Sequence, residues 1–135
     1  MFYLELTVPT PEEFLRLRRN SGMGSRSQDG ALIGLGNELF CVVLKLVDSG
    51  EIVGMARVVG DGGTVFHICD MAVIKKYQKL GGGSLLMDRV MKFIEDSSPP
   101  ESYINLISDV SGFYEKWGFK PTQPASYGMY MKTPE

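Results

Sequence analysis

Three consecutive glycines, Gly81, Gly82 and Gly83, stand immediately ahead of an amphipathic run in the stretch YQKLGGGSLLM, residues 77–87. A glycine inside a helix costs about 1 kcal/mol relative to alanine, so three at a helix entrance need a chemical reason. A glycine-lined turn at a helix N-terminus presents unpaired backbone N–H groups to an anion with no side chain blocking the approach. Lys75, Lys76 and Lys79 add positive charge around that turn. Two familiar phosphate motifs do not fit. A P-loop needs Lys and then Ser or Thr after its last glycine, where Ser84 and Leu85 follow here, and a dinucleotide fingerprint needs glycine or alanine where Leu86 stands. On the glycines alone, an anion cradle and a flexible turn flanked by solvated lysines both stay open.

Other side chains could move protons. Tyr114 lies in FYEKWGF, residues 113–119, where a helical tyrosine between Phe113 and Trp117 commonly belongs to the core with its hydroxyl at the surface. A phenol with pKa near 10 is protonated at neutral pH and can act as an acid. His67 is the single histidine of the chain and sits in an apolar run. An imidazole there is either structural or a proton acceptor. Asp70 competes for the role of base, and strict strand alternation turns it to the face opposite His67. Cys41 and Cys69 lie in apolar runs without metal-ligand spacing, as buried free thiols in a reducing compartment do.

The elements that must position these residues follow from pattern. Phe2 to Thr7 reads as a first strand. Thr10-Pro11-Glu12-Glu13 announces a helix with an N-cap, proline in its first turn and a capping box, ending near Asn20-Ser21-Gly22. A short helix is expected over Gln28 to Leu35. Leu39 to Leu46 and Ile52 to Val59 form a hairpin about Asp48-Ser49-Gly50, and a third strand of this group runs from Thr64 to Val73. The helical period then returns with Leu85, Leu86, Val90, Phe93 and Ile94, and Ser97-Ser98-Pro99-Pro100 stops it. Tyr103 to Ile107 reads as a strand, Asp109 to Trp117 as a short helix, and Tyr127 to Met131 as a last strand.

A chain of 135 residues with 44% apolar content suits one domain, residues 1–135, with one core. The N-terminus has neither a basic n-region nor a long apolar run, and no stretch suits a membrane span. A soluble, unexported, cytoplasmic protein with no membrane partner is expected. The net charge of −2 disfavours a nucleic-acid partner.

The run DMAVIKKYQKLGGGSLLM, residues 70–87, resembles the acetyl-CoA-binding motif of the GCN5-related N-acetyltransferases (GNAT), Gln/Arg-x-x-Gly-x-Gly/Ala, here Gln78-x-x-Gly81-x-Gly83. FYEKWGF is similar to the family's second motif, and the order of elements fits the family along nearly the whole chain. The resemblance implies an α+β fold in three layers, α/β/α, with a mixed, mostly antiparallel sheet whose third and fourth main strands run parallel and splay apart. It implies an acetyl-CoA-dependent N-acetyltransferase acting on a primary amine, with the cofactor in the splayed cleft. Met71, Ala72 and Val73 would border its pantetheine arm. Gln78, Lys79, Leu80, Gly81, Gly82, Gly83 and Ser84 would form the loop around its pyrophosphate, with Gly82 only loosening the turn. Tyr114 would stand near the sulfur and protonate the departing thiolate, and His67 would draw a proton from the acceptor directly or through water, leaving Asp70 to orient substrate or make structural hydrogen bonds.

Two departures from the family pattern stand out. Lys75 replaces a frequent proline, and Ile107-Ser108-Asp109 replaces an asparagine ahead of the second motif, which leaves the hydrogen bonding beside Tyr114 open. The acceptor pocket would be built from residues 20–36 and a hairpin over residues 121–131. Met23, Tyr127 and Met129 would give it a partly apolar wall beside Asp70, suited to a small amine with an apolar or aromatic body. A homodimer is compatible with this reading. A protein amine as acceptor, or a non-catalytic module that binds acetyl-CoA as a sensor or subunit, are the alternatives.

Overall fold

The computed structural model describes residues 1–135. Five strands form one sheet in the order β1-β2-β3-β4-β5: β1 (Phe2–Glu5), β2 (Phe40–Leu46), β3 (Ile52–Gly60), β4 (Val65–Val73) and β5 (Tyr103–Leu106). The pairs from β1 to β4 are antiparallel and β4–β5 is parallel. Helices α1 (Pro11–Ser21) and α2 (Gln28–Gly34) cover one face, and α3 (Gly82–Ser97) covers the other. This is the three-layer arrangement expected from the sequence.

Alternation along the strands sorts the two faces. Phe40 stacks on Phe93 of α3 with ring centroids 4.7 Å apart, and Phe66 meets the same ring edge-on. Phe14 and Leu17 of α1 fill the opposite face, where the Arg57 guanidinium lies over the Phe14 ring. α1 begins as its sequence dictates. The Thr10 hydroxyl accepts from the Glu13 N–H while the Glu13 carboxylate accepts from the Thr10 N–H, and Gly22 ends the helix at φ 90°.

The parallel pair positions the site. β4 and β5 stay in register from Val65–Tyr103 to Ile68–Leu106. β5 then stops while β4 continues to Val73, so the strands part and one edge of β4 opens. Ile74 donates its N–H to the Val53 carbonyl on β3. Because successive backbone groups point to opposite sides of a strand, those of Met71 and Val73 face the open edge and those of Ala72 face β3.

Three sequence expectations are corrected. Residues 109–117 do not form a helix; only Tyr114–Trp117 makes a 3-10 turn, ended by Gly118 at φ 91°. The Ser108 hydroxyl takes the Val110 N–H and donates to the Val110 carbonyl, which offers the backbone an alternative to helical bonds, and Gly112 turns away at φ 81°. Tyr127 to Met131 is not a strand, because no edge of its own sheet takes up its backbone groups. Gly82 does more than loosen the loop. It is buried where α3 crosses β2, and an added Cβ would lie 2.5 Å from Leu44 Cδ2.

That close approach yields a prediction. Gly82→Val should lower stability by about 1–3 kcal/mol through overpacking, measured as a fall in the urea midpoint at constant slope. Gly83→Ala should leave the midpoint nearly unchanged, since its Cβ would meet Phe113 at an ordinary 3.4 Å.

Candidate active site

The entry to α3 presents a row of backbone donors. Gly81 caps the helix at φ 91° and Lys79 adopts φ 65°, so the chain turns sharply out of the short 3-10 segment Lys75–Tyr77. The first backbone bond of α3 runs from the Leu85 N–H to the Gly81 carbonyl. The N–H groups of Gly81, Gly82, Gly83 and Ser84 donate to nothing else in the protein. Leu80 and Lys79 are exposed on the rim. The Gln78 side chain reaches back and donates to the Val73 carbonyl at 2.7 Å, fastening the loop to the open edge of β4. The edge therefore still presents the N–H groups of Met71 and Val73 and the carbonyl of Met71. Ala72 is buried and its backbone is turned away, so it is not brought to that edge.

Tyr114 opens the 3-10 turn that packs beside the start of α3. Its ring packs edge-on against Phe113, 4.9 Å away, and near Phe119, while Trp117 Nε1 donates to Asp88 of α3 at 2.8 Å. Phe113 lies against Gly83, so the aromatic turn is clamped beside the glycine loop. No protein group bonds the Tyr114 hydroxyl. Burial, and secondarily Asp109, raises its pKa above the ordinary value of 10.0. It is a phenol throughout the physiological range.

On the α1/α2 side a bulge reorders the residues. Met55 stands opposite Ala72 and Arg57 opposite Cys69, so Ala56 faces two residues, Asp70 and Met71. Asp70 takes up the extra residue at φ 53°, a left-handed conformation that aspartate tolerates. The expectation that Asp70 opposes His67 is therefore wrong: the bulge turns Asp70 to the α1/α2 face, which His67 and Cys69 also share. There its oxygens are both engaged, one by Arg18 Nη1 and one by Arg57 Nη1 at 2.8 Å, and Arg57 Nε donates to Glu38 at 3.0 Å. With each oxygen already taken by a guanidinium, neither is free to meet an acceptor amine.

His67 has a different environment. Its Nδ1 lies 2.5 Å from Asn105 Oδ1 on β5. With that oxygen as acceptor, the neutral imidazole carries its proton on Nδ1 and its lone pair on Nε2. Val59, opposite His67, is part of the wall of a cavity of about 350 Å³ between α1, α2 and the sheet, bordered also by Phe14, Arg57, Cys69 and Asp70. Met23 lies beside a smaller cavity with Arg18 and Arg19. Tyr127 and Met129 join neither; both are exposed on the C-terminal arm, so the arm of this chain does not build the apolar wall expected of it. Burial pushes both cysteine thiols up to about 12, which leaves Cys69 protonated and without a nucleophile's reactivity.

Arg18, Arg57, Glu38 and Asn105 escaped the sequence reading. Arg57 and Asn105 did carry a signal, a lone polar residue inside an otherwise apolar strand. Arg18 resembled ordinary positive charge at a helix end.

Residues 35–130 match the family model of the acetyltransferase (GNAT) domain. Among solved structures, a protein of unknown function from meticillin-resistant Staphylococcus aureus, named a probable acetyltransferase, is similar at 44% identity. The match covers 98% of this chain and 100% of that one with a TM-score of 0.93. A GNAT-family acetyltransferase of Streptococcus pneumoniae TIGR4 is similar at 25% identity over the whole of both chains, with a TM-score of 0.79. No curated protein matches the chain.

The ion network predicts its own cost of disruption. Asp70→Ala leaves the buried Arg18 guanidinium without a carboxylate and Arg57 with Glu38 alone, and should destabilise the fold by about 3–5 kcal/mol, read by chemical denaturation. Asp29→Ala, on the exposed first turn of α2, is the control and should shift stability by less than about 0.5 kcal/mol.

Proposed function

We propose that this chain, which belongs to the GNAT acetyltransferase family, transfers an acetyl group from acetyl-CoA to a primary amine of a small molecule. The observation that carries the reading is the open edge of β4 lying beside four unengaged N–H groups at the entry to α3. Those donors suit the pyrophosphate, and the backbone of Met71 and Val73 suits the amides of the pantetheine arm. Lys79 adds a screened attraction at the rim. Bound there, acetyl-CoA supplies an acetyl group already activated as a thioester.

The chain's own residues then handle protons. The Nε2 lone pair of His67, with Nδ1 held by Asn105, accepts the proton of the acceptor amine directly or through one water. Tyr114 keeps its proton on the hydroxyl for a departing thiolate. Asp70 orients the acceptor side through Arg18 and Arg57 rather than acting as base. A cavity of about 350 Å³ lies at the lower end of the usual range for small-molecule sites and favours a small acceptor over a protein chain.

Amine-dependent thiol release from acetyl-CoA across an amine library tests the reading. Stimulation by at least one small primary amine is expected; cofactor binding without any acyl transfer would make the chain a sensor or subunit instead.

Three variants refine the roles. Tyr114→Phe keeps the ring packing and removes the acid, so turnover should fall about 10²–10⁴-fold with acetyl-CoA affinity by calorimetry nearly constant. The raised Tyr114 pKa means that its proton is lost only as pH climbs above about 10, so the corresponding alkaline decline in turnover should lie there and vanish in the variant. His67→Ala should depress turnover at neutral pH and recover in part at high pH, where the free amine needs no base. Gly83→Glu should abolish acetyl-CoA binding in a folded protein, by placing a repelling carboxylate in the cradle.

A further inference from the structure

Around the α1–α2 connection a chain of net charge −2 gathers cations. Arg26 borders both cavities on this face, the one of about 350 Å³ together with Arg57 and Asp70, and one of about 260 Å³ together with Arg18 and Arg19. Four guanidiniums meet two carboxylates here, because Asp70 is shared by Arg18 and Arg57 while Glu38 is taken by Arg57. Arg19 and Arg26 belong to no ion pair. Asp29, three residues beyond Arg26, lines neither cavity.

Arg26 is an exposed member of this group. Its side chain makes one hydrogen bond, from Nη1 to the carbonyl of its neighbour Ser25 at 3.0 Å, so most of its donor fork is free. Arg18 feels its charge: burial lowers the Arg18 pKa below the ordinary value, and Arg26 adds to that lowering against the pull of Asp70. The repulsion is unrelieved within the chain, and an oxyanion seated at Arg26 would relieve it. There is room for one. From α2 only Ser27, Gly30, Ala31 and Gly34 line the larger cavity, while Leu32 and Ile33 are exposed. The cavity wall continues from Arg26 through Cys69 to Val59, the residue paired with His67.

We propose that the acceptor is a primary amine that also carries an oxyanion, a carboxylate or a phosphate, and that Arg26 binds this group while the amine lies along the cavity toward His67. Resting on the acetyl-transfer reading above, this makes Arg26 the residue that selects the acceptor. A forked guanidinium matches either oxyanion with two parallel hydrogen bonds. The surplus of positive charge repels an ammonium group, so polyamines and simple cationic amines are disfavoured, whereas a zwitterion is admitted by its acidic end. The same charge favours the neutral form of the bound amine, which is the form that attacks the thioester.

Thiol release with matched acceptors tests this: α-amino acids beside their carboxamides, amino sugar phosphates beside the plain amino sugars, and a polyamine as the cationic extreme. The acidic member of one kind of pair should have the higher kcat/KM by about 10–100-fold, the worth of one hydrogen bond to a charged group, and the pair that responds tells carboxylate from phosphate. Arg26→Gln should raise KM for that member by a similar factor at nearly constant kcat, with acetyl-CoA affinity unchanged. Arg26→Lys keeps the charge without the fork and should recover part of the loss. Calorimetry of the acidic amines in the presence of coenzyme A separates this proposal from the transfer reading: binding that depends on Arg26 without thiol release would remove the transfer and keep the acidic ligand. Equal kcat/KM within both kinds of pair, a preference for the neutral amines or the polyamine, or an acidic preference that survives Arg26→Gln would overturn the proposal. So would the absence of both binding and turnover with every acidic amine.

Discussion

The carboxylate of Asp70, held between Arg18 and Arg57, is the constraint on which the arrangement of the site depends. It ties α1 to the sheet at the place where β4 carries an extra residue. Arg57 in turn is pinned by Glu38, so two carboxylates and two guanidiniums form a closed group, and no buried side-chain polar atom is left unpartnered. Such groups add little net stability over apolar replacements, but removing one member leaves an uncompensated buried charge. Their contribution is geometric. The bulge at Asp70 shifts the phase of β4, so that Cys69 and Ala72, three residues apart, lie on one face.

That phase shift separates the two halves of the site. Before the bulge, His67 and Cys69 face α1 and α2, with His67 fastened to Asn105 on the last paired stretch of β5. Beyond it, the backbones of Met71 and Val73 look onto the edge that β5 has vacated. The same strand thus presents a side chain to one compartment and main-chain groups to another. The glycine loop follows directly, fastened to β4 through Gln78 and packed through Gly82 against Leu44. Gly82 shows that a glycine between two motif positions can be required for packing against the sheet as well as for the turn.

Much of this was legible in the sequence because it is local. The capping box at Thr10, the hairpin turn at Asp48-Ser49-Gly50 and the apolar period of α3 all announce themselves within a few residues. The glycines ahead of α3 left an anion cradle and a flexible turn both open, and only the resemblance of Gln78-x-x-Gly81-x-Gly83 to the family motif pointed to a cradle. What escaped was set by distant partners. No local pattern reveals that Arg18 meets Asp70 across 52 residues, or that His67 meets Asn105 across 38. Alternation misplaced Asp70 because a bulge breaks the period of two, and its sign in the sequence is only a charged residue inside an apolar strand. Tyr127 to Met131 has the composition of a strand, but no edge of its own sheet takes up its backbone groups.

The central claim is that the open edge of β4 and the entry to α3 form one cofactor cradle. Backbone amide shifts followed by NMR during titration with acetyl-CoA test it most directly. The account predicts that Gly81, Gly82, Gly83 and Ser84 shift together with Met71 and Val73 along one binding curve, while Ala72, whose N–H is turned to β3, moves far less. Saturable binding that leaves the Gly81–Ser84 amides unmoved, or no binding at all by a folded chain, would contradict it.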